Sequence, residues 1–354
     1  MSLCLSTYEG MTTNMLYKGT LGSMFPLHME DSNLLSLSLL QEGAPKLWWV
    51  TPPDQVCNTF DVLRWCLHPL VLAVVGRNIH NLLATKRAYC SPQVFLDNGV
   101  KMSLVRQEVG DYVVTAAGAP HMGLNLGANV ASAVNYTCLA WFTRAVEYMD
   151  QAYLELRYVP FPFEKLLVLS SELLADGKWW FGSASSIAAC DPALFVRDVN
   201  VLIAYLEQYL LENDRFVSGQ GAGCEATAID SVSPEVKAFL AADTVREADV
   251  NDGLRVDLSG DGYTCSTCYA VYWLSVVVCP TCISFFAGAP DEAPLCCWRC
   301  AESTYRCWHV IHEEGKPDRP VAGSQKPLVV WRHSTSQVRD LVAKMRRLLE
   351  PVRH

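Results

Sequence analysis

Apolar and polar residues alternate strictly over Leu35-Ser36-Leu37-Ser38-Leu39. A period of two is the mark of a strand with one face buried. Short apolar runs of this kind, broken by Gly/Pro turns, fill residues 1–141, the pattern of a closed β structure. Gly43-Ala44-Pro45 reads as a turn, and Lys46-Leu47-Trp48-Trp49-Val50 as the next strand, which places a lysine beside the strand at 28–30. Asp111–Thr115 is another strand, Ala116–Pro120 a small-residue turn, and His121 opens an extended run to Tyr136. Residues 54–106 read as an insertion with helical stretches near 59–67 and 77–87. Past residue 141 the period becomes helical. Leu139, Phe142, Val146, Met149 and Tyr153 form one stripe, and Phe195, Val199, Leu202, Leu206 and Leu210 a second. Val338, Leu341, Val342, Met345 and Leu348 form a third, with basic residues on the opposite face. These stripes are core faces.

Composition bounds the classes. The chain has 354 residues, 51% hydrophobic and 18% charged, enough for one or two globular domains and a small module. A net charge of −9 disfavours direct nucleic-acid binding and suits a basic peptide partner. Ser218–Gly223 lacks the Lys-Ser/Thr of a phosphate loop, so no nucleotide site is expected there. Met1-Ser2-Leu3-Cys4 has neither a basic start nor a long apolar core, so no secretory signal is expected. Tyr269–Pro290 carries no charge and is long enough to span a bilayer, but Pro280 and Cys pairs interrupt it, and no membrane span is expected. Eight of the 15 Cys lie between 265 and 307. Cys265-x-x-Cys268, Cys279-x-x-Cys282 and Cys297-x-x-Cys300, with Cys296 and Cys307, read as zinc ligands, one or two Zn(II) ions with open pairing.

The remaining chemistry lies near the start. His28-Met29-Glu30 puts an imidazole and a carboxylate at i and i+2, on one side of an extended strand. With a third ligand, His121, from a distant strand, they form a two-His, one-carboxylate face that suits Fe(II) with open positions. The spacing alone is weak, since His312-Glu313-Glu314 repeats it in a loop-like stretch. The strand context separates the two.

Phe25-Pro26-Leu27-His28-Met29-Glu30-Asp31, Gly43-Ala44-Pro45-Lys46-Leu47-Trp48, Gly110-Asp111-Tyr112 and His121-Met122-Gly123-Leu124-Asn125 through Asn135-Tyr136 resemble the JmjC family of Fe(II)/2-oxoglutarate oxygenases. Ala133-Val134-Asn135-Tyr136, the helical stretch after it and the Cys-rich module from Cys265 are most similar to the JARID-type histone lysine demethylases. The resemblance implies a β-rich jelly roll (a double-stranded β-helix, cupin-like), then an α-helical region and a small zinc-binding module. The corresponding domains are 1–141, 142–260, 262–310 and a linker with terminal helix at 311–354. It implies iron on His28, Glu30 and His121, and Lys46 on the distal carboxylate of 2-oxoglutarate. Tyr17, Phe25, Ser36, Trp48 and Asn125 match cosubstrate-pocket positions. The implied reaction is N-methyl hydroxylation of a histone lysine with formaldehyde release, at the fourth lysine of histone H3. The implied partners are the H3 tail and a chromatin complex, and the implied compartment is the nucleus, with a weak targeting signal at Lys344–Arg347. A JmjC protein hydroxylase and a non-catalytic chromatin scaffold are the alternatives.

Several positions depart from the family pattern. Ser38 stands where Asn is usual, Ala116 and Pro120 replace aromatic residues before the third ligand, and Leu124 replaces Phe. In the zinc module the third Cys falls on Tyr272, and a Cys-x-x-His is missing between Cys282 and Cys296. Only 27 residues precede His28, where family members carry further strands, a JmjN segment and another 2-oxoglutarate tyrosine. Either a longer natural chain or a minimal enzyme is expected.

Overall fold

The computed structural model describes residues 11, 13–66, 83, 86, 89–155, 163–177, 191–215, 225–228, 231–242, 263–265, 271–272, 275–285, 296, 310–311, 319–320, 328–331 and 334–350. Most of the expected 77–87 helix, the Ser218–Gly223 link, Cys268, Cys297, Cys300, Cys307 and the His312 pair lie outside these residues. The chain divides into two compact units, 2–158 and 159–354.

The first unit holds two four-stranded antiparallel sheets. One has the order β1-β8-β3-β6, from Met15–Gly19, Asn129–Tyr136, Leu35–Gly43 and Tyr112–Thr115. The other has the order β2-β7-β4-β5, from Met24–His28, His121–Asn125, Lys46–Val50 and Ser103–Gln107. This is the jelly-roll pattern, two sheets facing each other across the interior. The chain changes sheet at the expected turn, where Gly43 has φ +93° and no larger side chain would sit easily. The expected run from His121 to Tyr136 is two strands, bent at 126–128. The expected insertion ends earlier than 106, since Ser103–Gln107 joins the second sheet beside β4.

Strand alternation explains which residues line the interior. In β3, Ser36, Ser38 and Leu40 are buried, while Leu35, Leu37 and Leu39 are only half-buried. The small polar face points inward, the reverse of an ordinary core strand. Ala131 and Ala133 do the same on β8, so this sheet leaves space. From the opposite sheet Phe25, Lys46, Trp48 and His121 point in. Gly123 lies in register with both Phe25 and Trp48. A Cβ there would collide with the Phe25 ring and the Leu47 carbonyl, so only glycine lets that ring lie across β7. On the outer face of the second sheet, Leu27 and Met122 pack with Phe60, Leu63 and Phe95. These come from α1 (Val56–Cys66) and α2 (Pro92–Asp97), so the insertion's helices cover that face.

Helix α3, Trp141–Glu155, belongs to the first unit. Its buried face is Trp141, Phe142, Ala145, Tyr148 and Met149; Val146 of the expected stripe is half-buried. The second unit contains α4 (Phe163–Ala175) and α5 (Pro192–Arg215), and the latter buries the whole expected stripe from Phe195 to Leu210. A three-stranded sheet, in the order Ser275–Val278, Leu328–Trp331 and Glu225–Ala228, packs against α6 (Pro234–Ala242) and α7 (Pro280–Phe285) through Val236, Phe239, Val276, Val278, Ile283 and Val330. The terminal helix α8, Thr335–Leu349, starts with a capping box at Ser334 and Gln337. It buries Val338, Leu341, Val342, Met345 and Leu349; Leu348 stays half-buried. Its basic face pairs with α5, Arg339 with Asp214 at 2.7 Å and Arg346 with Glu207. Among the described residues no helix is long and apolar enough to cross a membrane.

Candidate metal centre

His28, Glu30 and His121 come together as the spacing predicts. One ligand atom from each lies within 4.8 Å of the others, and among the described residues this is the one such cluster. The cause is local. β2 ends at His28, which pairs directly with His121 on β7. Glu30 lies beyond the strand but keeps extended backbone, φ −65° and ψ 151°, so the i, i+2 rule still turns it to the same side. The ring centroids of the two imidazoles are 4.2 Å apart, and Glu30 Oε1 lies 3.4 Å from His121 Nε2.

Both imidazoles are fixed through the nitrogen that faces away from the cluster. His28 Nδ1–H donates to the Pro26 carbonyl at 2.8 Å, and His121 Nδ1–H to the Ala119 carbonyl at 2.9 Å. That assigns the Nε2 lone pair of each ring to the cluster, the tautomer a metal needs. The second oxygen of Glu30 accepts from Asn135 Nδ2 at 3.3 Å. Burial, reinforced by the neighbouring His121, pushes the His28 pKa down to about 3, which keeps the ring neutral and ready to ligate. Burial alone would raise Glu30, but the adjacent His121 above all, and His28 beside it, hold it well below the usual carboxylate range. Asp31 is raised by burial, and Lys86 opposes that rise.

The His28 shift has a pH consequence. Between pH about 6.5 and about 3 the unfolded chain takes up a proton at His28 that the folded, metal-free chain refuses. Stability is therefore complete above that window and is lost as pH falls through it, by up to about 1.4 kcal/mol per pH unit from this one group. Glu30 adds a loss of the same sign below its ordinary carboxylate pKa; Asp31 acts oppositely. Urea midpoints of the metal-free protein should fall from pH 7 to pH 5. A flat profile there would remove this account of His28.

The cluster opens into a cavity of about 210 Å³ lined also by Tyr17, Phe25, Ser36, Ser38, Lys46, Trp48, Lys86 and Asn135. Lys46 is 6% exposed, and its Nζ lies 6.0 Å from the Phe25 ring centre. It is not beside the strand of His28: β7 intervenes, and Lys46 sits level with Asn125, four residues along from His121. Burial lowers its pKa. Phe25 and Trp48 meet edge to face at 4.6 Å. Trp48 Nε1–H donates to Gln107 Oε1 at 2.9 Å, and Gln107 Nε2–H donates to the Ser38 carbonyl at 3.1 Å, tying one sheet to the other. Ser36 is held by Thr115 at 2.6 Å. Tyr17 is partly exposed, and its hydroxyl donates to Met15 Sδ at 3.3 Å. Asn125 does not line the cavity: its Nδ2 donates to the Ser23 carbonyl at 3.0 Å and its Oδ1 accepts from Asn129 at 3.0 Å.

Sequence reasoning did not find Lys86 or Gln107. Lys86, at φ +55°, lies in the insertion, whose periodicity gives no hint that it reaches the cavity. The one available signal was Asp31, an acid directly beside a metal ligand that burial would leave needing a cation.

Comparison with known proteins agrees with this geometry. Residues 15–136 match the family described as JmjC domain, hydroxylase. The probable lysine-specific demethylase SE14 of Oryza sativa subsp. japonica is 36% identical over 143 residues, 39% of this chain and 9% of that protein. The human probable lysine-specific demethylase 4F is 33% identical over 138 residues, 39% of this chain and 21% of the relative. Lysine-specific demethylase JMJ703 of Oryza sativa subsp. japonica is 26% identical over 297 residues, 81% of this chain and 21% of the relative. The chain thus spans only about a tenth to a fifth of the length of these curated relatives. Two facing sheets, a His-Glu-His cluster between them and a matching span from β1 to β8 lead to one conclusion: residues 15–136 form a JmjC domain.

Proposed function

We propose that this chain is a nuclear Fe(II)- and 2-oxoglutarate-dependent oxygenase that demethylates histone lysine, with the fourth lysine of histone H3 as its substrate. The observation that carries the reading is one cavity holding both halves of the requirement. At one side are three metal ligands whose lone pairs point inward. At the other is Lys46, a buried ammonium with no carboxylate partner among the described residues. An unpaired buried charge is costly, so the pocket favours an anion beside Lys46.

The donor set fits iron: two neutral imidazoles and one carboxylate suit a first-row divalent ion with open positions. A keto acid with a second carboxylate has oxygen donors for that ion and an anionic tail for Lys46. When bound, the metal and cosubstrate supply the oxidising chemistry that no side chain here possesses. The chain's residues bind and orient. Phe25 and Trp48 wall the cavity and keep water from the Lys46 side. Asn135 holds the free oxygen of Glu30. Tyr17 and Ser36 offer hydroxyls at the wall, where a methylated ammonium would enter. Lysine as substrate is supported by the names of the similar proteins, which are lysine-specific demethylases. The H3 tail, its fourth lysine and the nucleus rest on the JARID-type resemblance and on the acidic balance of the chain.

Structural zinc in the second unit belongs to the same proposal. Cys265, Cys279, Cys282 and Cys296 are buried. The sulfurs of Cys265 and Cys296 are 4.0 Å apart, too far for a disulfide and near the edge of about 3.8 Å that four thiolates at about 2.3 Å from one zinc would make. The Cys282 backbone N–H donates to Cys279 Sγ at 3.4 Å.

The test is mass spectrometry on a panel of methylated histone peptides with iron, ascorbate and 2-oxoglutarate. The expected result is loss of methyl groups with formaldehyde release, greatest on H3 methylated at its fourth lysine, from protein that carries zinc on metal analysis. A stable gain of oxygen would make it a hydroxylase instead. No succinate with any peptide would make it a scaffold, and absence of zinc would remove the zinc assignment.

A further inference from the structure

The turn that follows Glu30 is conformationally unusual. Asp31–Asn33 form a single 3-10 turn, and within it both Ser32 (φ 49°) and Asn33 (φ 56°) adopt left-handed backbone. Neither is glycine. Left-handed residues without a glycine are uncommon, and a consecutive pair persists only where surrounding structure holds it. The hydrogen bonds within the turn, Asn33 N–H to the Glu30 carbonyl and Leu34 N–H to the Asp31 carbonyl, both at 3.0 Å, do not explain the choice of hand.

The restraint comes from α3, more than 100 residues later. The indole Nε1–H of Trp141 donates to the Ser32 carbonyl at 3.2 Å. Asn33 Nδ2–H donates to the Arg144 carbonyl, one turn further along the same helix, at 3.4 Å. Trp141 and Ser32 are both fully buried. Trp141 is not among the residues that line the cavity. It acts on the backbone two residues beyond a ligand whose oxygen sits 3.4 Å from His121.

We infer that Trp141 is a positioning residue for the metal centre: its indole N–H clamps the left-handed turn at Ser32 and so fixes the Glu30 carboxylate against His121. This rests on the reading of His28, Glu30 and His121 as metal ligands. It makes α3 part of the site and not only a helix packed on the jelly roll. It also explains why the helix begins with a buried tryptophan where a phenylalanine would fill similar space without a donor.

The test uses the full chain and Co(II) as a spectroscopic probe for the ion. Trp141→Phe keeps the aromatic bulk and deletes the N–H. The expected result is a fall of about 10- to 100-fold in Co(II) affinity, the usual effect of losing a group that orients a ligand. The Co(II) absorption bands should change shape, which a purely packing role would not cause. Adding Ser32→Gly to Trp141→Phe should recover part of the affinity, because glycine accepts the left-handed turn without the clamp. Unchanged affinity and bands in Trp141→Phe would overturn the inference and leave the ligand assignment standing. If the unaltered chain binds no Co(II), or binds it equally with His28→Ala, the ligand assignment itself fails and takes the inference with it. Should Trp141→Phe not fold, Asn33→Ala, which cuts the second tie to α3, must also weaken Co(II) binding; equal binding would overturn the inference.

Discussion

His121→Ala is expected to abolish cosubstrate turnover, with succinate production falling at least about 1000-fold and Fe(II) affinity by more than about 100-fold. The lower bound on affinity follows because losing even an orienting group commonly costs 10- to 100-fold, and His121 is one of the three proposed donors that cluster among the described residues. The variant removes more than a donor. Glu30 loses the imidazole 3.4 Å away that holds its pKa down, so its charged form is less strongly favoured. His28 loses a neighbour that depresses its own pKa. Two ligands thus change when one is deleted, and supplying excess iron should not restore the rate. Calorimetry with Fe(II) under anaerobic conditions and a succinate assay read both effects. Turnover within tenfold of the unaltered chain would show that the third donor lies elsewhere.

Lys46→Met should separate function from stability. If Lys46 receives the carboxylate of the cosubstrate, removing it breaks a buried charge pair, which costs about 3–5 kcal/mol, or roughly 150- to 5000-fold in KM for 2-oxoglutarate. Metal affinity should change little, because Lys46 lies four residues along the sheet from the level of His121. The metal-free protein should be no less stable than before, and more stable by about 1 kcal/mol or more, because a thioether of similar length replaces an ammonium that burial already drives toward its neutral form. The opposite signs are what identify an anion-binding cation. A variant with lower stability and unchanged KM would make Lys46 a structural residue.

The parts of the site legible in the sequence are those fixed by short-range rules. Glu30 faces His28 because extended backbone repeats every two residues, and this holds even though the strand ends at His28. Lys46 points inward with Trp48 for the same reason. Relations between strands were less legible, because register is a property of pairs. Lys46 reads as a neighbour of the His28 strand, yet β7 runs between them. The alternation of β3 gave a half-buried strand, but which face was inside depended on the cavity, and the serines turned in. Asn125 matches a pocket position, yet its amide is consumed by Ser23 and Asn129. Gln107 and Trp141 act through hydrogen bonds to main chain distant in sequence, and no periodicity encodes such contacts. The helical stripes were legible to within a residue, as Leu349 in place of Leu348 shows.

Both imidazole rings are anchored to main-chain carbonyls through the nitrogen that faces away from the cluster. A receptacle finished in advance cannot reward one visitor by reshaping around it. Nickel, cobalt, copper and zinc therefore compete with iron on intrinsic affinity, where iron ranks low. Occupancy by the working ion then falls to the cell's own metal supply, and activity in vivo should track intracellular iron more closely than the amount of protein.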